Sequence, residues 1–383
     1  MSSQEFFEVL QSIALQTGVF SLKWGHLVMW AIGLIFMYLA VAKKYEPLLL
    51  LPIGFGIFLV NFPLTPLMGT NPETGQEHLL QIFYHYGIAW EVIPCVIFLG
   101  LGAMTDFGPL IANPKTLLVG AGSQLGVFVT FSATLIFGFT MKEAASVGII
   151  GGADGPTTIY LTSALAPHLL GPNALAAYSY MAMVPIIQPP LMRLLTTKKE
   201  RRIAMRQLRH VSQKEKLLFP LLGTALIALL IPAIMPLMGM LMLGNFMRES
   251  GAVRRLSETA QGALMNIVTI FLGLSVGATM SAEQFLTKKP LVIFTFGLLD
   301  FAVCTIGGIL TVKIMNMFLK EKLNPLIGSA GVSAVPMAAR VSQMVGLQED
   351  PENYLLLHAM GPNLAGVIGT AAAAGLFIAM FAT

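Results

Sequence analysis

An aspartate enclosed by helix-breaking residues stands out in a long apolar region, within the run Ile149-Ile150-Gly151-Gly152-Ala153-Asp154-Gly155-Pro156-Thr157-Thr158. This run cannot continue a regular helix, because glycine has no conformational restraint and proline lacks an N–H and clashes with the preceding turn. In a membrane, an opened backbone is tolerated only where it is buried in protein or lines a watery cavity. A carboxylate there costs at least about 2.5–3.5 kcal/mol. The motif therefore predicts an ion site in which Asp154 is paired with a cation.

A second stretch, 324–340, supplies oxygens that an isolated carboxylate lacks. Asn324 and Ser333 carry neutral oxygens, and Gly328 lets the chain expose a carbonyl. Hard cations are held by such oxygens together with a carboxylate, so Asp154, Asn324 and Gly328 are candidate ligands. Two alternatives stay open. Asn324 directly before a proline also suits a helix N-cap, and Ser333 also suits a helix residue bonded to its own backbone.

Three further residues are candidates for the same site. The run 360–369 repeats the pattern of a broken helix, with Asn363 at the expected break, and makes this amide another candidate ligand. Tyr180 offers a phenolic hydroxyl, although a packing aromatic is the simpler interpretation of an isolated tyrosine. Arg340 closes an otherwise uncharged segment, and its guanidinium suits two-pronged binding of a carboxylate.

Composition indicates what kind of protein must position these residues. Hydrophobic residues make up 55% of the chain and charged residues 11%, with a mean hydropathy of +0.75. Soluble domains carry about 25% charged residues, so this is a polytopic all-α membrane protein. The net charge of +4 indicates no nucleic-acid function, since the basic residues are bunched at helix ends. Cys95 and Cys304 lie in apolar runs without metal or redox spacing, which favours two buried thiols.

Several apolar runs are long enough to cross a bilayer. They are Trp24 to Ala42, Pro47 to Leu64, Ile82 to Met104, Leu117 to Met141, Leu217 to Ile234, Met265 to Met280 and Pro290 to Met317. Before the first of these, residues 5 to 22 resemble an amphipathic segment and lack the features of a signal peptide. Glu91 and Asp106 lie in or beside the third run; we leave the role of Glu91 open and interpret Asp106 as a turn or cap residue.

Charge distribution predicts the orientation of the two interrupted stretches. Lys43-Lys44 and the basic connector 196–216 are expected in the cytoplasm. Counting spans between them places Lys142 outside, so residues 145 to 168 must enter and leave by the outer face. The same count makes the segment from Asn324 to Arg340 re-enter from the cytoplasm. Each stretch is thus predicted to be a re-entrant or broken helical hairpin.

The second half of the chain resembles the first. Aligning 150–154 with 327–331 also aligns Pro185 with Pro362 at the same offset. Related segments of opposite orientation form an inverted repeat, in which paired discontinuous helices meet near the bilayer midplane. We therefore expect a transporter-like fold divided as follows: 1–81, the amphipathic segment and scaffold spans; 82–195, the first repeat; 196–216, the connector; and 217–383, the second repeat.

These motifs resemble a known family. GGADGPT followed by a tyrosine, NPLIGSAGVSAVPMAAR and HAMGPNLAGVIGT look like the membrane-embedded beta subunit of the sodium-pumping, biotin-dependent decarboxylases, which serve oxaloacetate, methylmalonyl-CoA, glutaconyl-CoA or malonate. The resemblance covers most of the chain from about Gly25. It implies a multi-pass protein of the bacterial inner membrane that accepts carboxybiotin, releases CO2 and exports sodium while a proton is consumed.

The resemblance also implies partners and roles for particular residues. The partners are carboxyltransferase and biotin carrier subunits, a small membrane subunit in some members, and further copies of the chain in a homotrimer. The essential aspartate of the family falls on Asp154, its tyrosine on Tyr180, and its asparagine, glycine, serine, arginine and second amide on Asn324, Gly328, Ser333, Arg340 and Asn363. Asp154 is then the candidate exchanger of sodium for a proton, and Arg340 with Ser333 would bind the carboxybiotin.

Two other functions use the same features differently. A gradient-driven sodium/proton or sodium/carboxylate carrier could use the same acid, amides and arginine. A membrane anchor that recruits soluble subunits would need none of them, and it leaves the broken helices unexplained. The acyl substrate cannot be deduced from this chain, because the carboxyl transfer that selects it takes place on another subunit.

Overall fold

The computed structural model of the chain describes residues 17–382, and these residues form helices joined by short turns. Within them, extended pairing is limited to one isolated bridge between Thr70 and Glu77. The predicted all-α class is confirmed. Most of the amphipathic segment expected at 5–22 lies outside the described residues, and its described end, 17–22, is turn and coil.

The α-helices of the described part are, in chain order, α1 Trp24–Ala42, α2 Pro47–Val60, α3 Leu79–Ile82, α4 Val92–Met104, α5 Gly108–Ala112, α6 Thr116–Ser123, α7 Leu125–Ile136, α8 Met141–Gly148, α9 Gly155–Leu165, α10 Leu170–Leu195, α11 Lys198–Arg201, α12 Gln213–Leu230, α13 Met235–Ser250, α14 Arg254–Thr259, α15 Met265–Ala278, α16 Ala282–Phe285, α17 Lys288–Phe318, α18 Met337–Glu349 and α19 Leu356–Phe381. Turns of 3₁₀ helix cover Ile149–Gly152, Pro167–Leu169, Pro232–Ile234 and Pro325–Gly331, and π-helix covers Phe83–Ala89 and Ala260–Leu264.

Helices long and apolar enough to cross a membrane are confirmed. They are Trp24–Ala42, Thr116–Ile136, Arg254–Ala278, Lys288–Phe318 and Leu356–Phe381, and the pair Leu79–Ala89 and Val92–Met104 makes a sixth if its 61° bend is counted within one span. Two predicted spans are less complete. The helix at Pro47–Val60 has only 14 residues, and Gln213–Leu230 has three charged residues among its first four, so neither combines the length and the apolarity of a free-standing span.

The predicted interruption at the aspartate motif is confirmed. α8 ends at Gly148, a 3₁₀ turn follows, and Ala153 adopts a left-handed φ of 53° before α9 begins at Gly155. The second stretch is likewise irregular, because 3₁₀ helix over Pro325–Gly331 is followed by non-helical backbone until α18 begins at Met337. Glycine and proline supply the conformational freedom and the missing N–H that open both segments.

The prediction of a third broken helix at 360–369 is wrong. α19 runs without a break from Leu356 to Phe381 with Pro362 inside it. Close packing maintains this helix: a Cβ on Gly361 would lie 2.9 Å from the Thr116 hydroxyl, and one on Gly366 would lie 2.4 Å from the Gly331 carbonyl. Surrounding helices thus hold α19 in place although its proline removes one backbone hydrogen bond.

Small residues allow helices α4 and α13 to pack backbone against backbone. A Cβ built on Gly102 of α4 would lie 1.9 Å from the Leu241 carbonyl oxygen, and one on Gly244 of α13 would lie 2.0 Å from the Leu99 carbonyl oxygen. Close approach through small residues is the usual way in which membrane helices gain packing energy, because lipid is as apolar as their side chains. This pair forms part of the surface against which the interrupted helices pack.

We expect Gly102→Ala to destabilise the protein, because its methyl group would meet a backbone carbonyl that cannot rotate away. The helices must separate, and overpacking of this kind costs about 1–3 kcal/mol. The midpoint of thermal unfolding in detergent should fall by several degrees. Gly262→Ala is the matched control, since a Cβ there meets nothing within 4 Å. Equal midpoints for the two variants would contradict this description of the α4–α13 contact.

Candidate cation site

Asp154 lies buried at the start of α9 and caps that helix. Its Oδ1 accepts a hydrogen bond from the Thr157 N–H at 3.2 Å, and its backbone carbonyl accepts one from the Thr158 hydroxyl at 2.7 Å. Only 4% of the residue is exposed. The neighbouring 3₁₀ turn and the left-handed Ala153 end the preceding helical segment, so that Asp154 stands at the N-cap of α9. An acid held this way keeps Oδ2 available for a partner from another part of the chain.

That partner comes from the second interrupted stretch. The Ser333 hydroxyl donates to Oδ2 of Asp154 at 2.8 Å, and the Ser333 N–H donates to the Gly152 carbonyl at 2.7 Å. Both donors lie in the non-helical backbone between Pro325–Gly331 and α18. The two interruptions, far apart in sequence, therefore meet at the aspartate.

Asn363 adds an amide to the same region from the continuous helix α19. Its Nδ2 donates to the carbonyl of Val332, next to Ser333, at 2.7 Å. Its Oδ1 is buried and has no hydrogen-bond partner within residues 17–382. Buried acceptors are normally satisfied, so this unpaired amide oxygen, on a side chain bonded to the residue before Ser333, is a candidate ligand for a cation.

A cavity of about 150 Å³ opens beside the carboxylate. Asp154, Ser333, Tyr178 and Thr269 provide its polar lining, and the rest is apolar side chains of α2, α4 and α15 together with neighbours of the interruptions. A water molecule occupies about 30 Å³, so the cavity has room for a small cation with a few waters.

The tyrosine nearest the acid is Tyr178, which the sequence analysis did not select. A Cβ on Gly155 would lie 2.1 Å from the Tyr178 ring, and the Tyr178 hydroxyl is buried without a hydrogen-bond partner in the described part of the chain. The predicted Tyr180 points the other way and donates to the Phe294 carbonyl on α17. Two positions of difference on a helix turn a side chain by about 200°, which accounts for the opposite directions.

Asn324 and Gly328 do not join Asp154 in one coordination shell in this structure. The Asn324 side chain caps the second stretch by accepting from the Leu326 N–H at 3.0 Å and donates to the carbonyls of Arg201 and Ile203. The 3₁₀ helix of Pro325–Gly331 separates this cap from Ser333, and its rise of about 2.0 Å per residue makes the gap on the order of 14 Å. In this structure Asn324 and Asp154 are therefore bonded to different neighbours, and a shared coordination shell stays a prediction.

Gly328 and Arg340 have surroundings of their own. Gly328 packs against the backbone of α17, where its Cβ would lie 2.5 Å from the Gly308 carbonyl oxygen. Arg340 lies exposed in the first turn of α18, close in sequence to the interruption that carries Ser333. The ligand roles of Asn324 and Gly328, and the carboxylate-binding role of Arg340, stay predictions.

Asp300 is a buried acid that the sequence analysis missed. It lies fully buried in α17, where its Oδ2 accepts from the Gly151 N–H at 2.9 Å and its Oδ1 lies 3.5 Å from the Cys304 thiol. Gly151 has no room for a side chain, since a Cβ would lie 2.1 Å from this carboxylate. A single acid inside the apolar run 290–317 was a signal that could have identified it.

Comparison with known proteins identifies the family. The model of the family described as "Na+-transporting oxaloacetate decarboxylase beta subunit" matches residues 25–381. The chain belongs to this family. It is 55% identical over 377 residues to methylmalonyl-CoA decarboxylase subunit beta of Veillonella parvula, covering 98% of this chain and 99% of the relative. It is also 56% identical to glutaconyl-CoA decarboxylase subunit beta of Acidaminococcus fermentans, over 375 residues and 98% of each chain. Oxaloacetate decarboxylase beta chain of Klebsiella pneumoniae is 50% identical over 426 residues, covering 97% of this chain and 98% of the relative.

In this beta-subunit chain, an ion cluster joins the two ends of the first interrupted segment. Glu143, at the start of α8, has a side chain only 5% exposed and lies 2.7 Å from His168, just after α9, and 2.5 Å from Lys289 at the start of α17. Burial alone would raise the pKa of Glu143, but hydrogen bonds from Lys289, the Thr140 N–H and His168 outweigh burial and lower the pKa to about 2. The cluster therefore stabilises the ionised carboxylate.

We expect Glu143→Gln to lower the thermal unfolding midpoint at pH 7 and to change its pH dependence. A carboxyl whose pKa falls on folding stabilises the native state above its ordinary pKa of 4.5, and this contribution is lost as the pH falls toward 2. The difference in thermal unfolding midpoint between parent and variant, measured in detergent, should thus be constant above pH 5 and shrink below pH 4.5. Glu73→Gln, in an exposed loop, is the control. A variant as stable as the parent at pH 7 would refute this role.

Proposed function

We propose that this chain is the membrane subunit that decarboxylates carboxybiotin, delivered by a biotin carrier, and couples CO2 release to sodium export with consumption of a proton. The observation that carries the proposal is the buried Asp154 carboxylate, which is bonded to Ser333 and lines a cavity. The proposal includes the bacterial inner membrane, partner carboxyltransferase and carrier subunits, a small membrane subunit, and a homotrimer. Family membership favours this function over a gradient-driven carrier.

The oxygens around Asp154 suit sodium as the transported ion. A carboxylate, a hydroxyl and an amide oxygen are hard donors with a single negative charge among them. No group of three His, Cys, Asp or Glu side chains that could hold a metal ion occurs within residues 17–382. One acid with neutral oxygens balances a monovalent cation, whereas a divalent cation would leave excess positive charge in the interior.

Ser333 gives the second segment a way to respond to the charge at Asp154. When the acid is ionised, the hydroxyl can donate to Oδ2, with which it is in contact at 2.8 Å. A sodium ion bound by Oδ2 needs the oxygen of Ser333 rather than its proton, so the hydroxyl must rotate. A proton on Asp154 would instead donate to Ser333. Exchange of sodium for a proton therefore changes the contact that joins the two interruptions.

The chemistry of decarboxylation requires the same proton balance. The C–N bond of the carbamate breaks, the carboxyl group leaves as CO2, and the ring nitrogen takes up a proton. Leaving water behind favours this step, because the anionic carbamate is best stabilised in water. Arg340, exposed at the start of α18, is the proposed group that holds the carboxylate, and Ser333 lies in the same segment. Tyr180 is proposed to influence the site indirectly, by positioning α17, because its hydroxyl donates to a backbone carbonyl of that helix.

An inverted repeat with two re-entrant hairpins is the architecture we propose. Helices α1 to α10 and helices α12 to α19 have the same order of elements: spans, a short helix, a long span, an interrupted segment and a final helix. The packing is also symmetric, because α4 packs on α13 and α15 packs on α2. The ends of the first interrupted segment meet through Glu143 and His168. Those of the second meet at Arg201, which is bonded to Asn324 and Glu349. The boundaries expected at residues 82, 196 and 217 stay predictions.

We expect Asp154→Asn to abolish sodium transport and sodium-dependent decarboxylation, because an amide can neither neutralise the cation nor exchange it for a proton. The measurement is uptake of radioactive sodium by inside-out vesicles containing the whole assembly, with and without carboxylated biotin. Asp350→Asn, at the end of α18, makes the same chemical change outside the site and should pump normally. Undiminished pumping by Asp154→Asn would disprove the proposal.

The same vesicles separate the decarboxylase from a secondary carrier. A decarboxylase is blocked by avidin and takes up no sodium when only an ion gradient is imposed. A carrier needs the gradient and is indifferent to avidin.

A further inference from the structure

A large basic pocket opens on the side of the molecule that carries the connector 196–216. Its volume is about 870 Å³, within the range of about 300–1,000 Å³ that small-molecule sites occupy. It is lined by part of the connector, 203–209, by the chain before α6 and by the turn after α17, 318–323. Five basic side chains and one acidic side chain face it: Lys115, Arg206, Arg209, Lys320, Lys322 and Glu321.

Some of these cations are already paired and others are free. Arg206 bonds Glu321 at 2.6 Å, and Arg209 bonds Glu215 at 2.7 Å. Within residues 17–382, the ammonium groups of Lys115 and Lys320 take part in no hydrogen bond or ion pair. The pocket therefore retains positive charge that its own acidic residue does not neutralise, which is the condition for attracting an anion.

The most buried polar residue that lines the pocket is His358, in the first turn of α19. It is only 9% exposed, and its Nδ1 is buried with no hydrogen-bond partner in the described part of the chain. A buried ring nitrogen without a partner costs free energy that a ligand would recover. This second observation, independent of the surface charge, marks the pocket as a binding site for a polar molecule.

The walls of the pocket are attached to the interruptions at Asp154. The connector wall is fixed by Asn324 and Asn353, which each donate to the Ile203 carbonyl at 3.0 Å. Asn324 begins the segment that carries Ser333. On the other side, His358 and Asn363 lie on one helix, separated by about 7.5 Å at a rise of about 1.5 Å per residue. A molecule in the pocket thus contacts two elements that reach the cation site.

We propose that this pocket receives the carboxylated ureido ring of the biotin arm before it is decarboxylated, with Lys115 and Lys320 attracting the carboxylate and His358 bonding the ring. The inference rests on the proposed function and names a binding position apart from Arg340, which does not line the pocket. The irregular backbone at 203–209, which lines the pocket, offers amide groups for the N–H and C=O of the ring. A lipid phosphate would use the surface lysines but has no need of a buried histidine.

The test is equilibrium binding of carboxylated biocytin to the purified full chain in nanodiscs. The parent carries Asp154→Asn, so that the probe is not consumed. Replacing both Lys115 and Lys320 by Gln should weaken binding about tenfold, the effect expected for loss of charge-assisted hydrogen bonds. His358→Gln should also weaken binding, whereas uncarboxylated biocytin should bind poorly to every chain.

The matched control replaces Lys214 and Arg255 by Gln, which removes two exposed cations outside the pocket. Their loss should change binding less than twofold. Equal weakening by both pairs, or none by the pocket pair, would overturn the inference. The inference would also be overturned if replacing Lys115 and Lys320 changed only the amount of anionic lipid that the protein retains, since the pocket would then hold a lipid phosphate. The pocket and the proposed function can fail separately. If binding depends on the pocket as expected, but the unmodified chain with Asp154 does not decarboxylate carboxybiotin, the pocket is supported and the proposed function is refuted.

Discussion

The hydrogen bond between Ser333 and Asp154 is the contact on which the rest of the structure depends. It joins two segments that are each too irregular to be stable alone in a membrane, because opened backbone must find partners inside the protein. The bond from the Ser333 N–H to the Gly152 carbonyl satisfies part of that need, and the bond from the hydroxyl satisfies part of the carboxylate. Each interruption is therefore the partner of the other.

The surrounding elements hold the outer ends of these segments while their tips meet. Glu143 ties the first segment to α17 through Lys289. Arg201 ties both ends of the second segment to the connector, through its carbonyl to Asn324 and through its guanidinium to Glu349. The ends are bonded to neighbouring elements, whereas the contact at the tips includes the Asp154 carboxylate itself. A proton or a sodium ion on that carboxylate would therefore act directly on the contact at the tips.

The cavity beside Asp154 lies where the interrupted segments face α2, α4 and α15. Helices α4 and α13 are held together by backbone packing at Gly102 and Gly244, so this part of the protein forms a firm surface. The basic pocket lies on the connector side. Asn324 joins the connector to the second segment, and His358 lies on α19, the helix that also carries Asn363. The two sites are thus lined by different residues and are connected through shared elements.

Local features of the sequence were sufficient for much of this description. The excess of apolar residues required membrane helices, the glycines and prolines around Asp154 required an interruption, and the unsatisfied oxygens of 324–340 indicated where its partner lies. These predictions succeeded because they rest on the chemistry of residues close together in the chain. The long motifs were specific enough to indicate the family as well.

Tertiary structure decided which side chains face which neighbours. Tyr178 rather than Tyr180 lies against Gly155, Asp300 reaches Gly151 from a distant helix, and α19 stays continuous through Pro362. None of these contacts follows from residue spacing, because a small rotation of a helix about its axis brings different side chains to the neighbouring helix without any change in sequence. The partners of a buried polar group depend on how distant helices pack, and only the folded chain determines that packing.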